Sequence, residues 1–430
     1  MIEVKGRYGT AKVFNDVVEE TALEQIKVVM NQKMVDGAKV RIMSDVHAGA
    51  GCVIGYTATM TDRVCVNLIG VDIGCGVLAY KLTNKVIDFK KLDRTIKDRV
   101  PTGFNIHSEI NLDFVGSLGS EMEVFYKNVL NVCKETKQDY DYAMRSLGTL
   151  GDGNHYIEID KNIETGELYL MIHTGSRKFG FNVANHFQNL AVENCTNKVD
   201  VGKIKNDLIT SYREAGKEKE IQAALAEIDS RLFPSTRTVP EGMEFIQGKV
   251  RKDYLRSMMV AQRYAELNRE YIARIILKYS DLFACEKIES VHNYIDRGHD
   301  FTGSIIRKGA ISAFRGEEVL IPLNMADGTL LGTGKGNPDW NFSAPHGAGR
   351  LMSRKKARRN IDITDYQERM KDVWSSCVNL STIDEAPMAY KNADEIKKYI
   401  EPTVSITAHL KPVYNLKAND YMKRCLFKGE

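Results

Sequence analysis

The chain has 430 residues, and its 60 Lys and Arg against 57 Asp and Glu leave a net charge of +3, with 43% apolar and 27% charged residues. This is the ordinary globular mixture, which excludes a disordered chain, a collagen-like fibre and a coiled-coil rod. So even a balance is not the footprint of a domain that wraps phosphates over its whole surface, so any phosphate-handling surface must be local. No apolar run approaches the roughly 20 residues that span a bilayer, and the start MIEVKGRYGTAKVF lacks the layout of a secretory signal. Eight cysteines (52, 65, 75, 133, 195, 285, 377 and 425) are scattered without a CxxC pair, as expected of reduced, mostly buried thiols. The expectation is a soluble, cytoplasmic protein with no membrane partner.

From residue 39 to 82, the short apolar runs KVRIM, CVIGYTATM and RVCVNLIG are punctuated by Gly and Asp and predict strands. Two loops interrupt them, SDVHAGAG at 44–51 and GVDIGCG at 70–76. Helical periodicity follows over 121–132 and 140–147. Then GTLGDGNHYIEI and LYLMIHTGSRKFG put polar residues at the ends of predicted strands. Residues 203–280 change texture: they are rich in Lys, Glu, Ala, Leu and Arg, and FPSTRTVPEG breaks them around Pro234 and Pro240, which predicts two or three long helices. Strand texture returns through SVHNY, RKGAISAF, EEVLIPLNM and a Gly-rich run to Arg350. Chemistry-bearing residues occur on both sides of the helical block. The expectation is therefore one discontinuous α+β core, 1–202 and 281–430, with a helical insertion at 203–280.

Asp72 and Cys75 lie three apart in V-D-I-G-C-G-V. A carboxylate and a thiolate together suit a borderline divalent ion such as Zn or Mn and not Ca or Mg; the plain alternative is a turn Asp beside a core Cys. His155, His173 and His292 each stand at the edge of an apolar, strand-like run. One such histidine is ordinarily a satisfied core residue, but three in the company of Asp72 and Cys75 point to a metal site without zinc-finger spacing. The run Gly332-Thr333-Gly334-Lys335-Gly336 lacks P-loop spacing, and 49–55 is one residue too long for a dinucleotide fingerprint. A better phosphate element is S-A-P-H-G-A-G-R at 343–350, which runs into the helix-like LMSRKKARR. Glycines before a helix N-terminus offer N–H groups to an anion, and Arg350, Arg354, Lys355, Lys356, Arg358 and Arg359 add cations. The plain alternative for this basic run is a solvated helix face. His346 sits where a phosphate would be held, as nucleophile or acid/base.

With these segments side by side, the chain resembles the RtcB family, the GTP-dependent tRNA-splicing RNA ligases, from about Asp45 to Lys417. The motifs that carry the resemblance are S-D-V-H-A-G, G-V-D-I-G-C-G, G-D-G-N-H-Y-I-E, H-T-G-S-R, V-H-N, R-K-G-A, P-H-G-A-G-R-L-M-S-R and E-A-P-x-A-Y-K. The resemblance implies a large mixed β core particular to that family. It also implies two Mn²⁺ ions held by Asp72, Cys75, His155, His173 and His292, with Cys75 shared. By the same resemblance His346 is the nucleophile that takes GMP from GTP, and Asp45 holds its other ring nitrogen. Asn154, Glu158, Asn293, Pro322, Leu323, Asn324, Met325, Thr329, Gly347, Ala348, Gly349 and Lys417 match the family's GTP contacts. Lys417 would read the guanine edge, and Lys428 is a rival for that role.

The implied reaction opens a 2′,3′-cyclic phosphate to a 3′-phosphate, transfers GMP to it, and lets a 5′-hydroxyl displace the GMP. The implied partners are cleaved tRNA or other broken RNA and, in part of the family, an archease-type activator. Two departures stand out: Asn324 replaces a Gly-Ser pair common among relatives, and thirteen residues follow Lys417. Cations for RNA and GTP are expected around Arg177, Lys178, Arg307, Lys308 and 350–359. Two other readings compete. One is a metal-dependent RNA-end phosphoesterase that uses the same five ligands without GTP. The other is a non-catalytic adaptor whose basic helix binds RNA backbone.

Overall fold

The computed structural model describes residues 1–110, 119–197, 201–230, 236–296 and 303–417. Two sheets organise them. The smaller runs in the order Ile2–Lys5, Thr10–Val13, Val40–His47, Ile54–Thr59, Ile305–Lys308 and Asn293–Asp296. The larger runs Ala284–Val291, Gly76–Leu82, Leu168–Thr174, Tyr156–Asn162, Val404–Lys417, Gly328–Gly334 and Glu318–Asn324, with Trp374–Ser375 alongside Val404–Lys417. Pairing along the larger path is antiparallel throughout.

The larger sheet curls because both of its faces are apolar. Along Tyr156–Asn162, Ile157 and Ile159 join the main core, while Tyr156 packs with Val77, Met171, Leu320 and Leu410 on the opposite face, the two-residue alternation of a strand buried on both sides. Closing the curl removes the inner face from water. It brings the two ends of the sheet together, where the Leu320 amide donates to Ser290 Oγ at 3.0 Å. Strand Ala284–Val291 of the larger sheet is separated from Asn293–Asp296 of the smaller by a single residue, His292. The junction of the sheets therefore falls on a residue with a proposed role.

Outside the curl, the 32-residue helix Gly248–Tyr279 packs against Arg177–Asn194 and the strand Leu168–Thr174. Two of its buried polar residues tie down loops. Asn268 accepts from the amides of Gly148 and Thr149 and donates to the carbonyls of Thr149 and Gly175. Arg269 donates to the carbonyls of Gly74 and Thr174, both at 2.8 Å, and pairs with Glu289.

The α+β class holds, with local differences. RVCVNLIG is not a strand: it forms one bridge, Val64 to Ile246, and the 3₁₀ turn Val66–Leu68, packed in the core. A short buried apolar run does not by itself distinguish strand from buried turn. The residues after H-T-G-S open the helix Arg177–Asn194, whose buried Phe179, Val183, Ala184, Phe187 and Ala191 recur at helical spacing. Between 203 and 280 the structure has the helices Val201–Glu214, Ile221–Ser230 and Gly248–Tyr279. The last belongs to the main core, so only the first two fit a peripheral insertion. The basic run forms the short helix Arg354–Asn360, capped by Ser353. Among the described residues the cysteines are free thiols, all buried except Cys285, and no helix is long and apolar enough to cross a membrane. Cys425 lies outside the described residues.

Candidate active site

All five proposed metal ligands lie at strand ends where the two sheets meet. Asp72 sits in the loop that leads into Gly76–Leu82, and Cys75 immediately precedes that strand. His155 immediately precedes Tyr156–Asn162, and His173 in the next strand stands opposite both Val77 and Tyr156. His292 fills the junction, with its amide on the Cys75 carbonyl at 2.9 Å. Gly175 leaves room for the Asp72 carboxylate, since a Cβ on it would lie 2.1 Å from Asp72 Oδ1 and displace it. The donor atoms form two triads that share one thiol: Cys75, His173 and His292, and Asp72, Cys75 and His155, the atoms of each within 4.8 Å of one another. Cys75 Sγ is 3.5 Å from His155 Nε2 and 3.4 Å from His173 Nε2, and His155 Nε2 is 3.1 Å from Asp72 Oδ2.

The donor chemistry fits a divalent metal. The far nitrogen of His155 lies 3.0 Å from the Leu150 carbonyl and that of His173 lies 3.1 Å from the Asn154 carbonyl. Each ring is thus oriented with Nε2 turned to the cluster, the usual outer arrangement of a metal-bound imidazole. Burial holds His173 and His292 well below the usual imidazole range, so both rings are neutral, the form in which an imidazole can ligate a metal. Burial and the Asp72 carboxylate push the Cys75 thiol up, so a bound cation is what would hold it as thiolate.

A row of imidazoles leads away from the cluster. Ring centroids are 5.4 Å apart from His155 to His173, 5.3 Å from His173 to His292 and 4.8 Å from His292 to His346. His346 follows the strand Ser343–Pro345, and its Nδ1 is 2.7 Å from Oδ2 of the fully buried Asp45. The turn after His346 packs directly on Asp45. Gly349 has φ +74°, and a Cβ there would lie 2.3 Å from the Asp45 carbonyl oxygen, a place only glycine fills without strain. From the other side, the buried Lys391 ammonium donates to the carbonyls of Ser44 and Val46, at 3.4 and 3.0 Å.

His346 and four of the metal-type residues, Asp72, Cys75, His173 and His292, border a cavity of about 300 Å³. Of the expected nucleotide contacts, Asn154, Glu158, Asn293, Pro322, Leu323, Asn324, Met325, Gly347, Ala348, Gly349 and Lys417 line it. Thr329 does not: it is fully buried opposite Pro322, and its neighbour Gly328 reaches the cavity instead. Asn324 lines the cavity, but its amide group is engaged in the 324–327 turn, accepting from the amides of Ala326 and Asp327 and donating to Asp327. Lys428 lies outside the described residues. Glu158 is buried, and burial raises its carboxyl to about 7 against the opposing pull of Lys417 and Asn415.

Three expectations about cations change. Arg307 is fully buried on Ser343 and Asp296, and Lys308 donates to the carbonyls of Ala50 and Cys52, so neither forms an RNA-facing surface. The turn 346–349 does not open directly into a helix, because Leu351 and Met352 intervene and Ser353 caps Arg354–Asn360. Within that helix Arg354 reaches the cavity and Lys355, Lys356 and Arg359 are exposed. Single-residue reasoning also passed over Tyr156, Tyr390 and His47, all of which line the cavity. The available signal was their place inside G-N-H-Y-I-E, E-A-P-x-A-Y-K and S-D-V-H-A-G. A second cavity, of about 490 Å³, also touches Asp72 and carries Arg177, Lys178, Phe104, Phe181 and Tyr142.

Comparisons with known proteins agree with this architecture. The family model described as "tRNA-splicing ligase RtcB" matches residues 25–418. The chain is 28% identical to the RNA-splicing ligase RtcB of Escherichia coli K12, covering 90% of this chain and 93% of that protein. It is 27% identical to the tRNA-splicing ligase RtcB of Archaeoglobus fulgidus, covering 92% and 91% respectively, and 26% identical to that of Aeropyrum pernix, covering 83% and 82%. With both the motifs in place and a match across nearly its whole length, the chain belongs to the RtcB family of RNA ligases.

Proposed function

We propose that the protein is a GTP- and Mn²⁺-dependent RNA ligase, working in the cytoplasm, that joins 3′-phosphate or 2′,3′-cyclic phosphate ends to 5′-hydroxyl ends. The observation that carries this reading is the His346–Asp45 pair, set at the end of a row of imidazoles and opening on the same cavity as the metal-type cluster.

Asp45 accepts the Nδ1 proton of His346 and so leaves Nε2 as the nucleophilic nitrogen. Nε2 attacks the α-phosphorus of GTP: an N–P bond forms and pyrophosphate leaves. Two metal ions held by Asp72, Cys75, His155, His173 and His292 would neutralise phosphate charge as Lewis acids. Arg350 and Arg354 supply further positive charge at the cavity wall. Guanine presents the O6 acceptor beside N–H donors, and Lys417 and Glu158 face it as donor and acceptor; adenine presents the reverse pattern. The RNA 3′-phosphate oxygen then attacks the phosphorus on His346, breaking the N–P bond. Finally the 5′-hydroxyl attacks the 3′-phosphorus and GMP leaves. The second cavity, with Arg177, Lys178 and the exposed rings of Phe104 and Phe181, suits single-stranded RNA.

The test is incubation with α-labelled GTP and Mn²⁺, followed by ligation of a tRNA nicked in its anticodon loop, with and without an archease-type activator. An acid-labile, alkali-stable protein label, lost in His346→Ala, is expected. Label from ATP but not GTP would overturn the cofactor assignment, and RNA-end hydrolysis without GTP would favour a phosphoesterase.

A further inference from the structure

We propose that Glu385 is a positioning residue that fixes Lys417 and its neighbouring cations, and through Lys417 sets the choice of guanine over adenine. This inference rests on the GTP reading above. Glu385 opens E-A-P-M-A-Y-K, lies in the 3₁₀ turn Ile383–Glu385 and is fully buried. Four donors converge on its two oxygens. Lys417 Nζ lies 2.8 Å and the Tyr390 hydroxyl 2.6 Å from Oε2, while Arg350 Nη1 lies 3.1 Å and Arg354 Nη1 2.5 Å from Oε1. All four donor residues line the nucleotide cavity. Glu385 itself stands behind them.

A lysine ammonium on a four-carbon stem has no direction of its own. Lys417 gets one from Glu385 on one side and from the Tyr156 ring, 5.6 Å from Nζ, on the other. An ammonium held this way turns a free N–H to a carbonyl acceptor such as guanine O6, and opposite the amino group adenine presents there that N–H has no acceptor, in a buried place. The carboxylate is itself secure: burial opposes its charge, but Lys417, Arg354 and Arg350 hold it well below the usual carboxylate range.

The experiment measures KM, kcat and the GTP-to-ATP ratio of kcat/KM for self-guanylylation of the full chain, alongside the thermal midpoint. Glu385→Gln keeps the shape and removes the charge. A rise in KM for GTP of roughly tenfold or more is expected, with a matching fall in the GTP-to-ATP ratio, which a merely fold-stabilising network would not move. Because Glu385 acts through Lys417, Lys417→Met combined with Glu385→Gln should lose no more selectivity than Lys417→Met alone. If Glu385→Gln does not fold, Glu385→Asp keeps the charge, withdraws the carboxylate by one methylene and should still lower the ratio. An unchanged ratio in the folded variant, or losses that add, overturns the proposal. A wild type that takes no label from GTP sinks the GTP reading and this inference together. A labelled wild type with an indifferent Glu385 variant sinks this inference alone.

Discussion

Asp45 has no solvent exposure, and one of its oxygens lies 2.7 Å from His346 Nδ1. Asp45→Asn keeps the size but presents an amide that can stabilise the wrong imidazole tautomer. The covalent step should fall by about 10²- to 10⁴-fold, with little change in KM for GTP, as read by single-turnover labelling. Glu158 sets a pH dependence. Its carboxyl is raised to about 7, chiefly by burial, so below that pH it is protonated and a poorer acceptor for guanine N–H groups. GTP affinity should therefore weaken as pH falls from 8 to 6, and Glu158→Gln should flatten the curve; a binding titration across that range checks both. The stability linkage has the opposite sense. A carboxyl raised above its unfolded value contributes stability at low pH, and that contribution is lost as pH rises through about 7. At this scale the sequence was most legible, because Asp72, Cys75, His155, His173 and His346 sit in short Gly-containing motifs and His292 in V-H-N, and the structure brings all six together. Thr329, expected among the nucleotide contacts, is fully buried and does not line the cavity, and sequence alone does not show which residues of a strand its neighbours cover. Arg307 and Lys308 were misjudged because charge alone does not reveal burial.

The helix Gly248–Tyr279 carries no motif, yet it holds the site's loops. Asn268 satisfies two amides and two carbonyls from 148–149 and 175, groups that would otherwise be buried without partners. Asn268→Ala should cost roughly 2–4 kcal/mol, combining the lost bonds with the stranded polar groups. It should also loosen the loops beside His155 and Asp72. Denaturant unfolding measures the first effect and metal content after dialysis the second; a stable variant that loses metal would separate site positioning from fold stability. The helix was legible as a helix from its Lys-, Glu-, Ala- and Leu-rich texture, but its place in the core was not. That place depends on which face meets Arg177–Asn194 and the sheet, a long-range fact that helical periodicity leaves open. The curl of the larger sheet was equally hidden, because alternation shows that both faces are apolar without showing that they close on one another.

The proposed ligand set joins the two sheets. Asp72, Cys75, His155 and His173 belong to loops and strands of the larger sheet, while His292 is the single residue between it and the smaller one. The near-neutral total of +3 therefore conceals a local arrangement in which a thiol, a carboxylate and three imidazoles converge, where a bound metal would add positive charge. Binding only to the folded state stabilises it by about 2.7 kcal/mol at a hundredfold excess of metal over Kd. Chelation should lower the thermal midpoint reversibly, and readdition of Mn²⁺ should restore it. The sharing of one thiol makes a sharper prediction. Cys75 belongs to both triads, His155 and His292 to one each. Cys75→Ala should abolish high-affinity binding of both metal equivalents in a calorimetric titration, whereas His155→Ala and His292→Ala should each leave one. Equal losses in all three variants would instead mean that the triads act as a single site, with Cys75 no more central than the imidazoles around it.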